Sequence, residues 1–303
     1  MEFIKIIPLP PDAPPFIQPD VDVSAIKRKY LDVPYAGTDH PDQTLDIFLP
    51  EEGEGPFPVL VQFHGGAFLG GHKRDSQCVY LFGGILRGYA VVNVNYRLSG
   101  EVKFPYPVFD VKAAIRFLRA NADTYCLDPT RIAASGDSAG AYFAAMLGTS
   151  AGVAALEDLS MGTPEFDSSV QAVIGMFGLY DLVLQSHFTE DAPPMPDGVK
   201  ISNYADAFAG VNCRAVPGLA SLASPINYVT EKCPPVLIQA GTDDEIVPYQ
   251  GSVEFVNRVN AVCGEGHAIL EPIPGGLHGD PAYESEERER SRFEFLDRVL
   301  KKA

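Results

Sequence analysis

Basic side chains are scarce: 23 lysines and arginines stand against 40 aspartates and glutamates, a formal net charge of −17. Nucleic acid and anionic membranes both reward clustered positive charge, so neither is an expected partner. Long apolar runs are also missing, and no window reaches the roughly 18 consecutive apolar residues that a membrane span needs. The opening stretch MEFIKIIPLPPDAPPFIQPD breaks into proline and aspartate after a short apolar run. It has no h-region and no small-residue cleavage site, so a secretory leader is not expected. The five cysteines, Cys78, Cys126, Cys213, Cys233 and Cys263, are widely spaced, odd in number and form no C-x-x-C pair. Neither a disulfide framework nor a zinc site is signalled, and a reducing cytoplasm is the natural compartment.

What is present suits a globular α/β protein. An apolar fraction of 46% beside 21% charged residues is enough to bury a sizeable core. The 303 residues fit one domain built on a single sheet. Residues 1–28 are proline-rich and then charged, and read as an N-terminal arm on the surface. Leu45 to Leu49 alternates like an edge strand. Short apolar runs follow at Val59 to Phe63, Ala90 to Val94, Ile132 to Ala134, Val170 to Phe177, Val236 to Ile238 and Ile269 to Leu270. Runs of this kind suit strands buried on both faces. Between them Val111, Ala114, Ile115 and Leu118 recur at helical spacing, as do Phe293, Leu296, Val299 and Leu300. Alternating strand and helix predicts a mostly parallel sheet with helices on both faces and a ligand site beyond the C-terminal strand ends. Residues 181–226 break this rhythm with Pro193, Pro194, Pro196, Gly198 and Pro217, and read as a small cap insertion over the site.

The strongest local signal is Gly136-Asp137-Ser138-Ala139-Gly140 between a predicted strand and a helical run. A serine on a sharp strand-to-helix turn projects its hydroxyl above the sheet, and small neighbours relieve the crowding of that turn. The plain alternative is a glycine turn with a capping serine. An attacking serine also needs donors for the negative charge that develops on the carbonyl oxygen. His64-Gly65-Gly66-Ala67-Phe68 directly follows an apolar strand, so the N–H groups of Gly66, Ala67 and Ala139 are the predicted oxyanion donors. A phosphate cradle is the competing reading of that loop, but no G-K-[ST] follows. Of the six histidines, His278 lies after the last predicted strand and before the last helix, where an imidazole can reach a serine at the strand tips. Asp243, Asp244 and Glu245 follow another strand tip, with Asp181 as a rival from a third. One of these carboxylates would orient the imidazole.

Taken together, His64 to Phe68, Asn95-Tyr96-Arg97-Leu98, Gly136 to Gly140, Gly241 to Pro248 and Gly276-Leu277-His278-Gly279 look like the bacterial serine esterases related to hormone-sensitive lipase. Within that group the chain is most similar to the feruloyl-esterase-like branch of the α/β-hydrolases, over roughly residues 30–302. The resemblance implies an α/β-hydrolase fold and a Ser138, Asp244, His278 triad, the aspartate falling at the family's position in G-x-x-D-x-x-V-P. Ala67 departs from the pattern, since many relatives carry a third glycine there. The implied activity is hydrolysis of short-chain acyl esters through an acyl-enzyme, with a small-molecule substrate and no metal or organic cofactor. Removal of acetyl or feruloyl groups from plant polysaccharide fragments is the alternative substrate class. A binding protein of the same fold that has lost catalysis is a further reading, set against the presence of both Ser138 and His278. No assembly state is implied.

Overall fold

The computed structural model describes residues 4–9, 18–188 and 204–301. Ten strands are found among them: β1 (Lys5–Ile6), β2 (Val21–Asp22), β3 (Lys29–Pro34), β4 (Thr44–Phe48), β5 (Phe57–Phe63), β6 (Ala90–Val94), β7 (Leu127–Asp137), β8 (Ala172–Met176), β9 (Val236–Gly241) and β10 (Ala268–Ile273). The helices are α1 (Tyr106–Ala120), α2 (Ala139–Thr149), α3 (Leu182–Phe188), α4 (Tyr204–Ala209), α5 (Pro217–Leu222), α6 (Tyr249–Cys263) and α7 (Glu286–Leu300).

The main sheet runs β10-β9-β8-β7-β5-β6-β4-β3, parallel from β10 to β6 and antiparallel across β6, β4 and β3. The pleat divides its side chains between two cores. Val59, Val61 and Phe63 join α1, α2 and α6 on one face, while Leu60, Val91 and Ile174 join Phe82, Ile85 and the Phe293, Leu296 and Leu300 stripe of α7 on the other. Each such fully buried aliphatic side chain contributes roughly 1.5–3 kcal/mol, which is why strands with two apolar faces sit at the centre.

Leu45 to Leu49 is not an edge. β4 lies inside the sheet and β3, largely exposed, forms the border. The alternation that suggests an edge arises because Asp46 is buried by pairing with Arg74, whose Nη2 lies 3.0 Å from Oδ1. The N-terminal segment is exposed at Lys5–Ile6 but sends Val21, Val23 and Ile26 into the second core. Its residues 1–3 and 10–17 lie outside the described residues, as do 189–203 of the 181–226 segment. The described parts of that segment are α3, α4, α5 and a turn at Pro225–Tyr228. Among the described residues no helix is long and apolar enough to cross a membrane.

The chain leaves β5 for β6 on one side and returns to β7 on the other. The loops after β5 and β7 therefore open a crevice at the C-terminal strand ends, where open α/β sheets bind ligands.

Candidate active site

Ser138 occupies the junction of β7 and α2 with φ 50° and ψ −117°, a conformation neither strand nor helix tolerates. Its own N–H donates to the Met176 carbonyl at 2.9 Å, tying the turn to β8. The flanking glycines are required by contact. A Cβ on Gly140 would lie 1.9 Å from the Phe63 carbonyl oxygen, and one on Gly136 would lie 2.3 Å from the Gly140 carbonyl oxygen. Helix α2 can press this close to β5 only without those side chains.

His278 comes from the loop between β10 and α7, with Nε2 3.0 Å from Ser138 Oγ and Nδ1 2.8 Å from Asp244 Oδ2. An ionised carboxylate only accepts hydrogen bonds, so Nδ1 donates to it and Nε2 keeps the lone pair that faces the serine hydroxyl. The other oxygen of Asp244 accepts the amides of Ile246 and Val247, both at 2.8 Å. The carboxylate is buried, 7% exposed, and both its oxygens are engaged. Its sequence rivals point elsewhere. Asp243 and Glu245 are exposed, and Asp181 accepts the Val183 and Leu184 amides at the start of α3. The Phe177 ring meets the His278 imidazole edge-on at 4.8 Å and is itself packed on the Tyr283 ring at 4.6 Å.

Three amides are oriented by the hydrogen bonds of the carbonyls that precede them. In a trans peptide the carbonyl and the following N–H point in opposite directions, so anchoring one aims the other. His64 Nδ1 donates to the Gly65 carbonyl at 2.8 Å, aiming the Gly66 amide away from it. Leu69 and Gly70 donate to the Gly66 carbonyl at 2.9 and 3.0 Å, aiming that of Ala67. Tyr142 donates to the Ser138 carbonyl at 3.3 Å, aiming that of Ala139 along the N-terminus of α2. None of the three amides donates to a protein acceptor among the described residues. Gly66 has φ +103° and a Cβ there would sit 2.3 Å from the Gly70 carbonyl oxygen, whereas Ala67 takes the left-handed φ of 55° despite its methyl group.

His64 supports this loop from below. It is buried, stacked on Tyr96 at 4.3 Å, and its carbonyl accepts the Tyr96 hydroxyl at 2.8 Å. Burial pulls its pKa down to about 4, so it is a neutral imidazole at neutral pH. Beneath the serine turn, burial and the neighbouring Asp75 hold the Asp137 carboxyl well above the usual carboxylate range. The place of Tyr96 in this support follows from the Asn95-Tyr96-Arg97 motif only once the rings are seen stacked.

Metal-ligand chemistry occurs in one group among the described residues, His40, Asp42 and Glu101. There the Asp42 amide donates to His40 Nδ1 at 3.1 Å, which leaves Nε2 to carry the hydrogen that Glu101 accepts at 2.6 Å. Both ring nitrogens are satisfied by protein.

A family model described as BD-FAE matches residues 45–259. Esterase LipC of Mycobacterium tuberculosis is 31% identical over 246 residues, 80% of this chain and 58% of LipC. The chain spans about half the length of the curated relatives it matches. Among solved structures, a truncated form of a carbohydrate esterase from gut microbiota is similar at a TM-score of 0.77 and 27% identity, covering 91% of this chain and 98% of that one. A bifunctional GH43-CE protein of Bacteroides eggerthii is similar at a TM-score of 0.77 and 31% identity, covering 90% of this chain and 35% of that one.

Proposed function

This chain belongs to the BD-FAE family and has the α/β-hydrolase fold, and on that premise we propose that it hydrolyses carboxylic esters with Ser138 as nucleophile. The single observation that carries the reading is the hydrogen-bonded series from Ser138 Oγ through His278 to Asp244. In the first step Oγ attacks the ester carbonyl and passes its proton to Nε2 of His278. Asp244 holds the imidazole by Nδ1–H and stabilises the imidazolium. The carbonyl oxygen, now negative, is taken up by the amides of Gly66, Ala67 and Ala139, assisted by the positive end of the α2 dipole. The tetrahedral adduct then expels the alkoxide, which leaves as the alcohol with the proton from Nε2. A water molecule next gives its proton to Nε2 and attacks the acyl-serine, and the second adduct collapses to the acid as Nε2 returns the proton to Oγ of Ser138.

Short-chain acyl esters are the first substrate class proposed. A second reading, acetyl or feruloyl esters of polysaccharide fragments, is favoured by the carbohydrate esterase from gut microbiota among the similar solved structures. Rates of the purified protein and of Ser138→Ala on one panel test both. The panel contains p-nitrophenyl esters of rising acyl length with acetylated and feruloylated xylo-oligosaccharides. Loss of all turnover in Ser138→Ala is expected, and full turnover in that variant contradicts the mechanism. The panel member with the highest kcat/KM separates the two substrate readings.

A further inference from the structure

The oxyanion loop adopts a run that its residues disfavour. Gly66, Ala67 and Phe68 have φ of 103°, 55° and 62° in succession, and two of the three carry a Cβ. Left-handed backbone at non-glycine residues persists only where the surroundings over-determine it. For Phe68 those surroundings are visible. Its carbonyl accepts the Ser99 amide at 2.7 Å, and its ring, 1% exposed, is stacked on Phe208 with centroids 4.1 Å apart and planes 22° from parallel.

Phe208 belongs to α4, within the segment that interrupts the strand and helix rhythm. It is completely buried, and its carbonyl accepts the Phe104 amide at 2.8 Å, which pins α4 to the chain ahead of α1. Phe208 also meets the Phe104 ring at 6.0 Å, and both rings of the stacked pair pack on Tyr142 and Phe143, on the first turn and a half of α2. Phe68 meets them at 5.2 and 5.7 Å, and Phe208 at 5.1 and 6.1 Å, all close to perpendicular. One aromatic cluster therefore joins the loop bearing the Gly66 and Ala67 amides to the helix bearing the Ala139 amide. Phe208 closes it from outside the sheet.

We propose that Phe208 is a positioning residue for the oxyanion hole: by clamping Phe68 against α2 it holds the Gly66 and Ala67 amides in register with that of Ala139. The proposal rests on the esterase reading above and extends it to the insertion, which thereby helps to build the catalytic apparatus. Removing the clamp frees Phe68 to leave its left-handed conformation. Both loop amides then move relative to the serine. A displacement of about 1 Å at such a site costs on the order of a hundredfold in rate, and losing one donor outright costs roughly 10²–10³.

The test compares wild type, Phe208→Leu, Phe208→Ala and Ser138→Ala on p-nitrophenyl acetate. Inhibition by an aryl trifluoromethyl ketone, whose serine adduct places an oxyanion in the hole, is measured in parallel. Phe208→Ala is expected to lower kcat about ten- to a hundredfold with KM little changed, and to weaken the ketone by the same factor. Phe208→Leu, which keeps apolar bulk but not the stacked ring, falls between, and carries the test alone if the alanine variant does not fold. Phe68→Leu combined with Phe208→Leu loses little more than either alone, because both break one contact.

A wild-type kcat in folded Phe208→Leu and Phe208→Ala overturns the proposal. So does a rise in KM at constant kcat, which means that Phe208 touches substrate. So does a fall in thermal stability with kcat and ketone affinity intact, the mark of a purely structural ring. Full activity in Ser138→Ala would instead overturn the esterase mechanism itself, so the two failures are told apart.

Discussion

Asp244 engages His278 with one carboxylate oxygen, at 2.8 Å from Nδ1, and fixes its other oxygen on the amides of Ile246 and Val247. An acid held on both sides dictates the imidazole's tautomer and tilt together. Asp244→Asn keeps the shape but can present an N–H to Nδ1 and reverse the tautomer, so kcat is expected to fall by up to about 10⁴. Asp243→Asn, at an exposed neighbour, leaves the rate near wild type. Parallel steady-state kinetics of the two variants check this, and equal losses would contradict the assignment.

Gly140 marks where helix α2 touches β5. Gly140→Ala puts a methyl carbon 1.9 Å from the Phe63 carbonyl oxygen, backbone against backbone with no side chain free to yield. We expect a loss of about 3 kcal/mol or more, at the upper end of overpacking penalties, together with displacement of Ser138. Gly70→Ala is the control, since its Cβ meets nothing within 4 Å. Thermal unfolding of the two variants decides the point, and similar melting temperatures would contradict it.

His64 makes stability depend on pH in a definite direction. Its folded-state pKa is about 4 against an ordinary 6.5. Between those values the unfolded chain binds a proton that the folded protein refuses, so stability is complete above about pH 6.5 and is lost as pH falls toward 4. The full difference amounts to roughly 3 kcal/mol. His64→Phe retains a ring against Tyr96 but cannot titrate. Urea unfolding from pH 7 to 4 should show the wild type losing about 3 kcal/mol more than this variant. Parallel curves would refute the assignment.

Much of the fold was legible because strands buried on both faces are apolar along nearly their whole length, as in β8 and, but for the single buried amides Gln62, Asn93 and Gln239, in β5, β6 and β9. β3 was not, since KYLDVP is an exposed border with no such demand. β4 misled for the opposite reason, its polar face being sealed by the pair between Asp46 and Arg74 rather than wetted. Ser138 and the loop at Gly66 could be read locally, because a sharp turn leaves glycines behind. His278 could be placed by its position after the last strand. Spacing alone could not separate Asp244 from Asp243 and Glu245, and only the resemblance singled it out, because its burial and the two amides that donate to it exist only in three dimensions. Phe208 left no trace in the sequence, as stacking across 140 residues on Phe68 has no spacing of its own.

The most direct measurement of the central claim is mass spectrometry of the protein after treatment with a fluorophosphonate, read beside residual ester hydrolysis. The account predicts a single phosphonyl adduct on Ser138, loss of hydrolysis in step with labelling, and neither adduct nor turnover in Ser138→Ala. An adduct on another residue, or hydrolysis that persists in Ser138→Ala, would contradict it.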